Sequence, residues 1–291
     1  MGKNTFFSAD LFINTRGTLL NPGRPAIMSI INLTPDSFYD GGRNSVLKDL
    51  LVKVENDLTS GALILDLGAW SSRPGSQPIT AEEEWVRLAP ALKAIRVSFP
   101  DAILSIDTYR ATIVSQAAAE GANLINDISG GSLDPSMLAA VGASRLPYVL
   151  MHMRGDPLTM TSLNEYDEVV SEVSCYFRDK LVEVRAAGIR DIILDPGLGF
   201  AKKMDQSYEL LARLPELRIF DLPLLVGLSR KSMISKLLGT DNEHALNGTT
   251  AAHMIALEQG AALLRVHDVR EAAQAIKIWE TCRAFTKLSP Q

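Results

Sequence analysis

The sequence predicts an α/β fold: one (β/α)8 barrel with an N-terminal hairpin closing its bottom. Three observations predict it. Eight strand-length apolar runs recur along the 291 residues, helical patterns separate them, and each run ends on a polar or charged residue. In order, AIMSII ends at Asn32, ALIL at Asp66, AILSI at Asp107 and NLI at Asn126. PYVLM ends at His152, DIIL at Asp195, LLVGLS at Arg230 and Lys231, and ALLRV at His267. Continuous apolar runs of this length belong to parallel strands buried on both faces. A parallel barrel builds its active site from the loops after the strands, so these polar ends describe one converging pocket.

The elements follow in order. Residues 1–25 contain TFFSADLFINTRGTLLNPGRP, short apolar runs beside Thr-Arg-Gly and Asn-Pro-Gly turn signals, which predicts the hairpin. Residues 26–291 form the barrel, in a single domain overall. Helices are predicted over 45–60, 81–98, 110–120, 134–142, 165–187, 205–214, 230–239 with 243–259, and 268–286. In the fifth, Val169, Val173, Phe177, Leu181 and Val184 recur every three or four residues, and Gly188 marks its end. Two long irregular stretches interrupt the alternation: LTPDSFYDGGRN after the first strand and GAWSSRPGSQPIT after the second. Such loops in a compact barrel serve as lids over the site.

Thirty-four acidic against 29 basic residues give a net charge of −5, which excludes a general nucleic-acid or anionic-membrane surface. Positive charge for an anionic ligand must therefore be local. No run approaches the roughly 18 apolar residues of a membrane span, and no secretory core opens the chain, so a cytoplasmic protein is expected. Cys175 and Cys282 match no metal or disulfide spacing and are expected to be reduced and partly buried.

Asp107, Asn126 and Asp195 place two carboxylates and an amide at strand ends. One reading gives each an internal Arg partner or a helix cap, a role open also to Asp127 and Thr108. The other sets them against a planar ligand rich in adjacent N–H donors, such as an aminopyrimidinone edge. Arg230 and Lys231 of SRKS, with Arg265 and His267 of RVHD, form a cationic group at the last two strands, where barrels often hold phosphate. Arg73 could join it from the second loop. Asn32 and Asp36 offer oxygen ligands suited to Mg²⁺, although the same loop would also make an ordinary Asp-turn. DPGLGF makes a tight turn that brings backbone close to a ligand and presents Phe200. His152 is either a ligand contact or a hydrogen-bonded structural imidazole.

Taken together, NLTPDSFYDGG, LDLGAWSSRPGS, SIDTYR, INDISGG, MHMRGDP, LDPGLGF, GLSRKS and RVHDV resemble, in order, the segments of the dihydropteroate synthase family. The resemblance implies a TIM barrel, usually a homodimer. It implies the joining of 6-hydroxymethyl-7,8-dihydropterin pyrophosphate to 4-aminobenzoate, with Mg²⁺, releasing pyrophosphate. It implies pterin-binding roles for Asp107, Asn126, Asp195 and Lys231, and pyrophosphate and Mg²⁺ roles for Asn32, Arg265 and His267. Ser72, Arg73, Pro74, Phe200 and Ser229 would surround the aminobenzoate. Asp36, Arg73 and Lys231 would act at the reacting carbon, with both loops closing over it. The second loop departs from the family's Gly-Gly-Glu-Ser-Thr-Arg-Pro-Gly: Trp70 replaces Glu and Ser72 replaces Thr. Trp70 is expected to pack between strand and helix, or to stack on a ligand. Two other functions fit the same barrel: a non-catalytic pterin-binding paralogue, and a pterin-dependent methyltransferase. SRKS and RVHD argue against the second, because methyl transfer leaves no pyrophosphate to hold.

Overall fold

A computed structural model of the chain describes residues 13–15, 18–20, 24–33, 43–70 and 79–286. A short antiparallel hairpin, β1 (Ile13–Thr15) with β2 (Thr18–Leu20), precedes the barrel. The barrel strands are β3 (Ala26–Asn32), β4 (Ile64–Gly68), β5 (Ile103–Asp107) and β6 (Leu124–Asp127), then β7 (Tyr148–Met151), β8 (Ile192–Asp195), β9 (Leu225–Val226) and β10 (Leu263–Val266). They pair in parallel in the order β8-β7-β6-β5-β4-β3-β10-β9. A parallel bridge between Leu194 and Leu224 joins the two ends, with the Leu194 amide donating to the Pro223 carbonyl at 2.9 Å. The sheet is thereby nearly closed into a barrel.

Helices α1 (Arg43–Thr59), α2 (Ala81–Ser98), α3 (Ala111–Ala119), α4 (Met137–Ser144), α5 (Val169–Ala186), α6 (Met204–Ala212), α7 (Ser232–Leu238), α8 (Leu246–Glu258) and α9 (Val269–Thr286) surround it. The predicted bounds of α2 agree to the residue, because Thr80 and Glu83 form a capping box that fixes its start. A 3₁₀ segment, Leu214–Phe220, follows α6 where no element was expected. Outward-facing Leu65, Leu67, Leu104, Ile106 and Leu194 bury themselves against helix residues such as Leu92, Ile95 and Phe177. Inward-facing residues at the starts of the strands make a separate apolar layer: Met28, Ile64, Ile103, Leu124, Val149, Ile193, Leu225 and Leu263. Ile13 of the hairpin packs into that layer and is 3% exposed, so the hairpin closes the bottom as expected.

Two expectations need correction. The second strand does not end at Asp66 but continues to Gly68, which puts Asp66 one layer below the mouth. Cys175 and Cys282 are free, as expected, yet exposed rather than partly buried, because they lie on the outer faces of α5 and α9.

Candidate active site

Above the apolar floor the barrel interior turns polar. Asp66 is fully buried and accepts from Ser105 Oγ at 2.5 Å, Asn126 Nδ2 at 2.9 Å and Arg265 Nε at 2.7 Å. A carboxylate so far from water is tolerable only with a full set of donors, and three strands supply it. Sequence reading counted Asp66 among the polar strand ends of one pocket but gave it no partner or ligand of its own. The signal lay in the two-residue period of β4, where Asp66 shares the inward face with Ile64.

Arg265 also donates from Nη2 to Asp107 Oδ2 at 2.7 Å. Burial alone would lower the guanidinium's pKa, but Asp66 and Asp107 raise it, so Arg265 stays charged. Among the described residues nothing engages its Nη1, which remains an open donor. Asp107 is 7% exposed, and burial raises its pKa to about 7 against the opposing pull of Arg265. Its Oδ1 is buried without a hydrogen-bond partner among the described residues. Asn126 spends its amide nitrogen on Asp66, which leaves its Oδ1 as an acceptor.

Asp195 closes β8 and accepts from the Gly197 amide at 2.7 Å; burial raises its pKa, while Lys231 is the largest opposing influence. Lys231 donates to the Leu198 carbonyl at 2.6 Å, and its Nζ stands 4.5 Å from the centre of the Phe200 ring. Burial lowers the Lys231 pKa to about 8, with Asp195 pulling the other way. Ser229 Oγ accepts from the His267 amide at 3.1 Å and lies 3.0 Å from His267 Nδ1. His267 is exposed, and desolvation of its ring, then Arg265, lower its pKa to about 4. Asn32 ends β3, half-buried, and no described residue hydrogen-bonds its side chain.

The structure thus gathers Asn32, Asp107, Asn126, Asp195, Ser229, Lys231, Arg265 and His267 at one end of the barrel, with Phe200 in the loop after β8. Asp36, Ser72, Arg73 and Pro74 lie outside the described residues. Arg230 does not join the group. Its backbone takes a left-handed φ of 53°, and its guanidinium forms a bidentate pair with Asp268, 2.8 Å on each arm. Trp70 joins two strand ends. Its indole donates to the Asp107 carbonyl at 3.2 Å and meets Tyr109 edge-on at 4.9 Å, tying the ends of β4 and β5. Asp127 caps no helix; it accepts from the Ser129 and Gly131 amides and from Tyr148 Oη, and so fixes the turn after β6. His152 is 2% exposed, and its pKa is held well below the usual range by burial and then Lys202. Among the described residues no group of three or more His, Cys, Asp or Glu side chains could hold a metal on its own.

A parallel barrel with buried acceptors beside fixed cations at its mouth has the makings of an enzyme site for a small ligand with both N–H donors and negative charge. The pterin binding enzyme family matches residues 28–267. The dihydropteroate synthase of Escherichia coli K12 is 42% identical over 91% of this chain and 94% of its own length. The Yersinia pestis dihydropteroate synthase, solved with a sulfonamide drug complex, superposes with a TM-score of 0.88 at 40% identity, covering 94% of this chain and 99% of that one. The Xanthomonas albilineans enzyme, solved with 4-aminobenzoic acid, gives 0.88 at 36% identity over 94% of this chain and 99% of that chain. The chain belongs to the pterin binding enzymes, and among them to the dihydropteroate synthases.

Proposed function

We infer that the protein joins 6-hydroxymethyl-7,8-dihydropterin pyrophosphate to 4-aminobenzoate, giving 7,8-dihydropteroate and pyrophosphate. The observation that carries this reading is Asp107 Oδ1, a buried acceptor with no partner among the described residues, at the end of β5. A buried oxygen of this kind is costly unless a ligand donor meets it. With the free Oδ1 of Asn126 and the carboxylate of Asp195, it presents acceptors to the ring N–H groups of a pterin. Lys231, beside Asp195, completes the ring site with a donor.

At the mouth, the open Nη1 of Arg265, the His267 ring and Asn32 face the pyrophosphate. Asn32 fits Mg²⁺ in the way that ion prefers, as one oxygen ligand used together with substrate phosphates. Bound there, the ion would add positive charge against the leaving group. In the reaction the CH₂–O bond breaks and its electron pair departs with pyrophosphate. The arylamine nitrogen then forms the new C–N bond and loses a proton. Arg265 stabilises the departing charge without reorganising, because Asp66 and Asp107 already fix it. The dihydropterin can share the positive charge left on its CH₂, so the path is SN1-like. Closure of the two loops carrying Asp36 and Arg73 would keep water from that carbon. Phe200 and Ser229, with Ser72, Arg73 and Pro74, border the 4-aminobenzoate.

Exposed Leu237, Leu238, Ile255, Ile278 and Phe285 on α7, α8 and α9 offer an apolar face for a homodimer. No helix among the described residues is long and apolar enough to cross a membrane, and the reading places the protein in the cytoplasm.

Pyrophosphate release by purified protein, with dihydropterin pyrophosphate and Mg²⁺, tests the reading. Release that requires 4-aminobenzoate and yields dihydropteroate is expected. Tight pterin binding without turnover would overturn it in favour of a non-catalytic pterin-binding protein.

A further inference from the structure

The loop after β8 carries Phe200 and the Leu198 carbonyl, both in contact with Lys231. On its other side the loop meets a second lysine. Lys202 is 9% exposed, and its ammonium lies 2.9 Å from His152 Nδ1, 3.0 Å from the Gly197 carbonyl and 3.1 Å from the Phe200 carbonyl. The His152 carbonyl lies farther off, at 3.5 Å, and the three nearer acceptors suffice for the three N–H donors of an ammonium. Nothing remains with which Lys202 could contact a ligand.

The backbone it spans is tight. Gly197 has a φ of +66°, and a Cβ there would sit 2.0 Å from the His152 carbonyl oxygen. Ala201 is held in the left-handed region, at a φ of 46°, without being glycine. A turn of this kind persists only where its surroundings impose it, and the ammonium links the Gly197 and Phe200 carbonyls to the imidazole after β7. Asp195, Lys231 and Arg154 are the other charges acting on it.

We propose that Lys202 is a positioning residue for the second substrate, bracing the loop after β8 against β7 so that Phe200 stands correctly beside Lys231. The proposal rests on the reading of the protein as a dihydropteroate synthase. Phe200 sits on this loop itself, whereas Asp107 and Asn126 sit on other strands, so the second substrate should feel the loss of the brace first. Burial lowers the Lys202 pKa to about 7, with Asp195 pulling the other way.

Lys202→Met keeps the stem and removes the three donors. The KM for 4-aminobenzoate should rise about tenfold while the KM for the pterin pyrophosphate stays within about twofold, as expected where the binding of one substrate alone is weakened. Equal rises in both KM values would show that Lys202 supports the whole barrel and overturn the proposal. So would unchanged values for both. Wild-type protein without aminobenzoate-dependent turnover would instead sink the functional reading itself. If Lys202→Met does not fold, wild-type protein decides the matter by nitrogen-15 NMR of the His152 ring. Its resonances should move when 4-aminobenzoate is added with pyrophosphate and 6-hydroxymethyl-7,8-dihydropterin, and stay fixed with the pterin alone. Movement with the pterin alone, or none at all, would overturn the proposal.

Discussion

At the scale of single residues, one guanidinium organises the site. Arg265 bridges Asp66 and Asp107, and the two carboxylates differ in what else they hold. Asp66 is saturated by protein donors, whereas Asp107 keeps Oδ1 open. Two substitutions should therefore separate stability from binding. Asp66→Ala leaves a buried cation short of a partner, so it should destabilise the fold by about 3–5 kcal/mol. Urea unfolding measures this, and a loss below about 1 kcal/mol would mean that the network repacks around the gap. Asp107→Asn preserves shape but offers the ligand a neutral group. Pterin affinity should fall at least about tenfold by calorimetry, equal to about 1.4 kcal/mol; unchanged affinity would remove Asp107 from the ring site. Asp107, Asn126, Asp195 and Lys231 were legible in the sequence because each closes an apolar run. Asp66 was read as a strand end, and its place beneath the mouth was missed, because its run was cut two residues short. Arg230 was misplaced because a left-handed backbone turns it toward Asp268, and no sequence pattern announces that turn.

At the scale of elements, the floor and the rim of the barrel are built independently. Ile13 fills the floor layer beside Met28 and Leu263. The Asn14 amide reaches Asp191 Oδ1 at 3.2 Å and secures the hairpin to the bottom of β8. Ile13→Ala should cost about 2 kcal/mol or more, the lower end for a buried isoleucine, since a hairpin at the end of the barrel can relax. It should leave pterin affinity unchanged, because a polar layer and the length of the strands lie between. Thermal unfolding together with calorimetry tests both halves, and a loss of pterin binding would mean that floor and rim are coupled. The barrel alternation and the hairpin were legible because periodicity and turn residues are local signals. The 3₁₀ segment after α6 was not. In LPELRIF, Leu214, Leu217 and Phe220 recur every three residues, a run too short to stand out, and Leu214 and Leu217 pack into the core. Lys202 was invisible for a related reason: a lysine beside another lysine reads as surface until the chain folds over it.

At the scale of the whole molecule, the buried carboxylates tie ligand binding to pH. Asp107 titrates near 7 in the folded protein, above its ordinary value of 3.8. Between those values the folded state holds a proton that the unfolded chain has released. This group therefore contributes stability that is present below about pH 4 and lost as the pH rises through about 7. A pterin donating N–H groups to Oδ1 reverses the preference, because it favours the ionised carboxylate and must displace the proton. Below pH 7, binding should release up to one proton. Affinity should then climb by as much as tenfold per pH unit and level off above about 7. Calorimetry in two buffers of different ionisation enthalpy reads that proton directly. The same slope should vanish in Asp107→Asn, which has nothing to titrate. Uptake of a proton would mean that the ligand meets the neutral acid, and a slope surviving in the variant would move the titration to Asp195. The apo protein and the pterin complex should accordingly differ most in stability above pH 7. There the empty site holds an unpaired carboxylate oxygen, and the filled one supplies its donor.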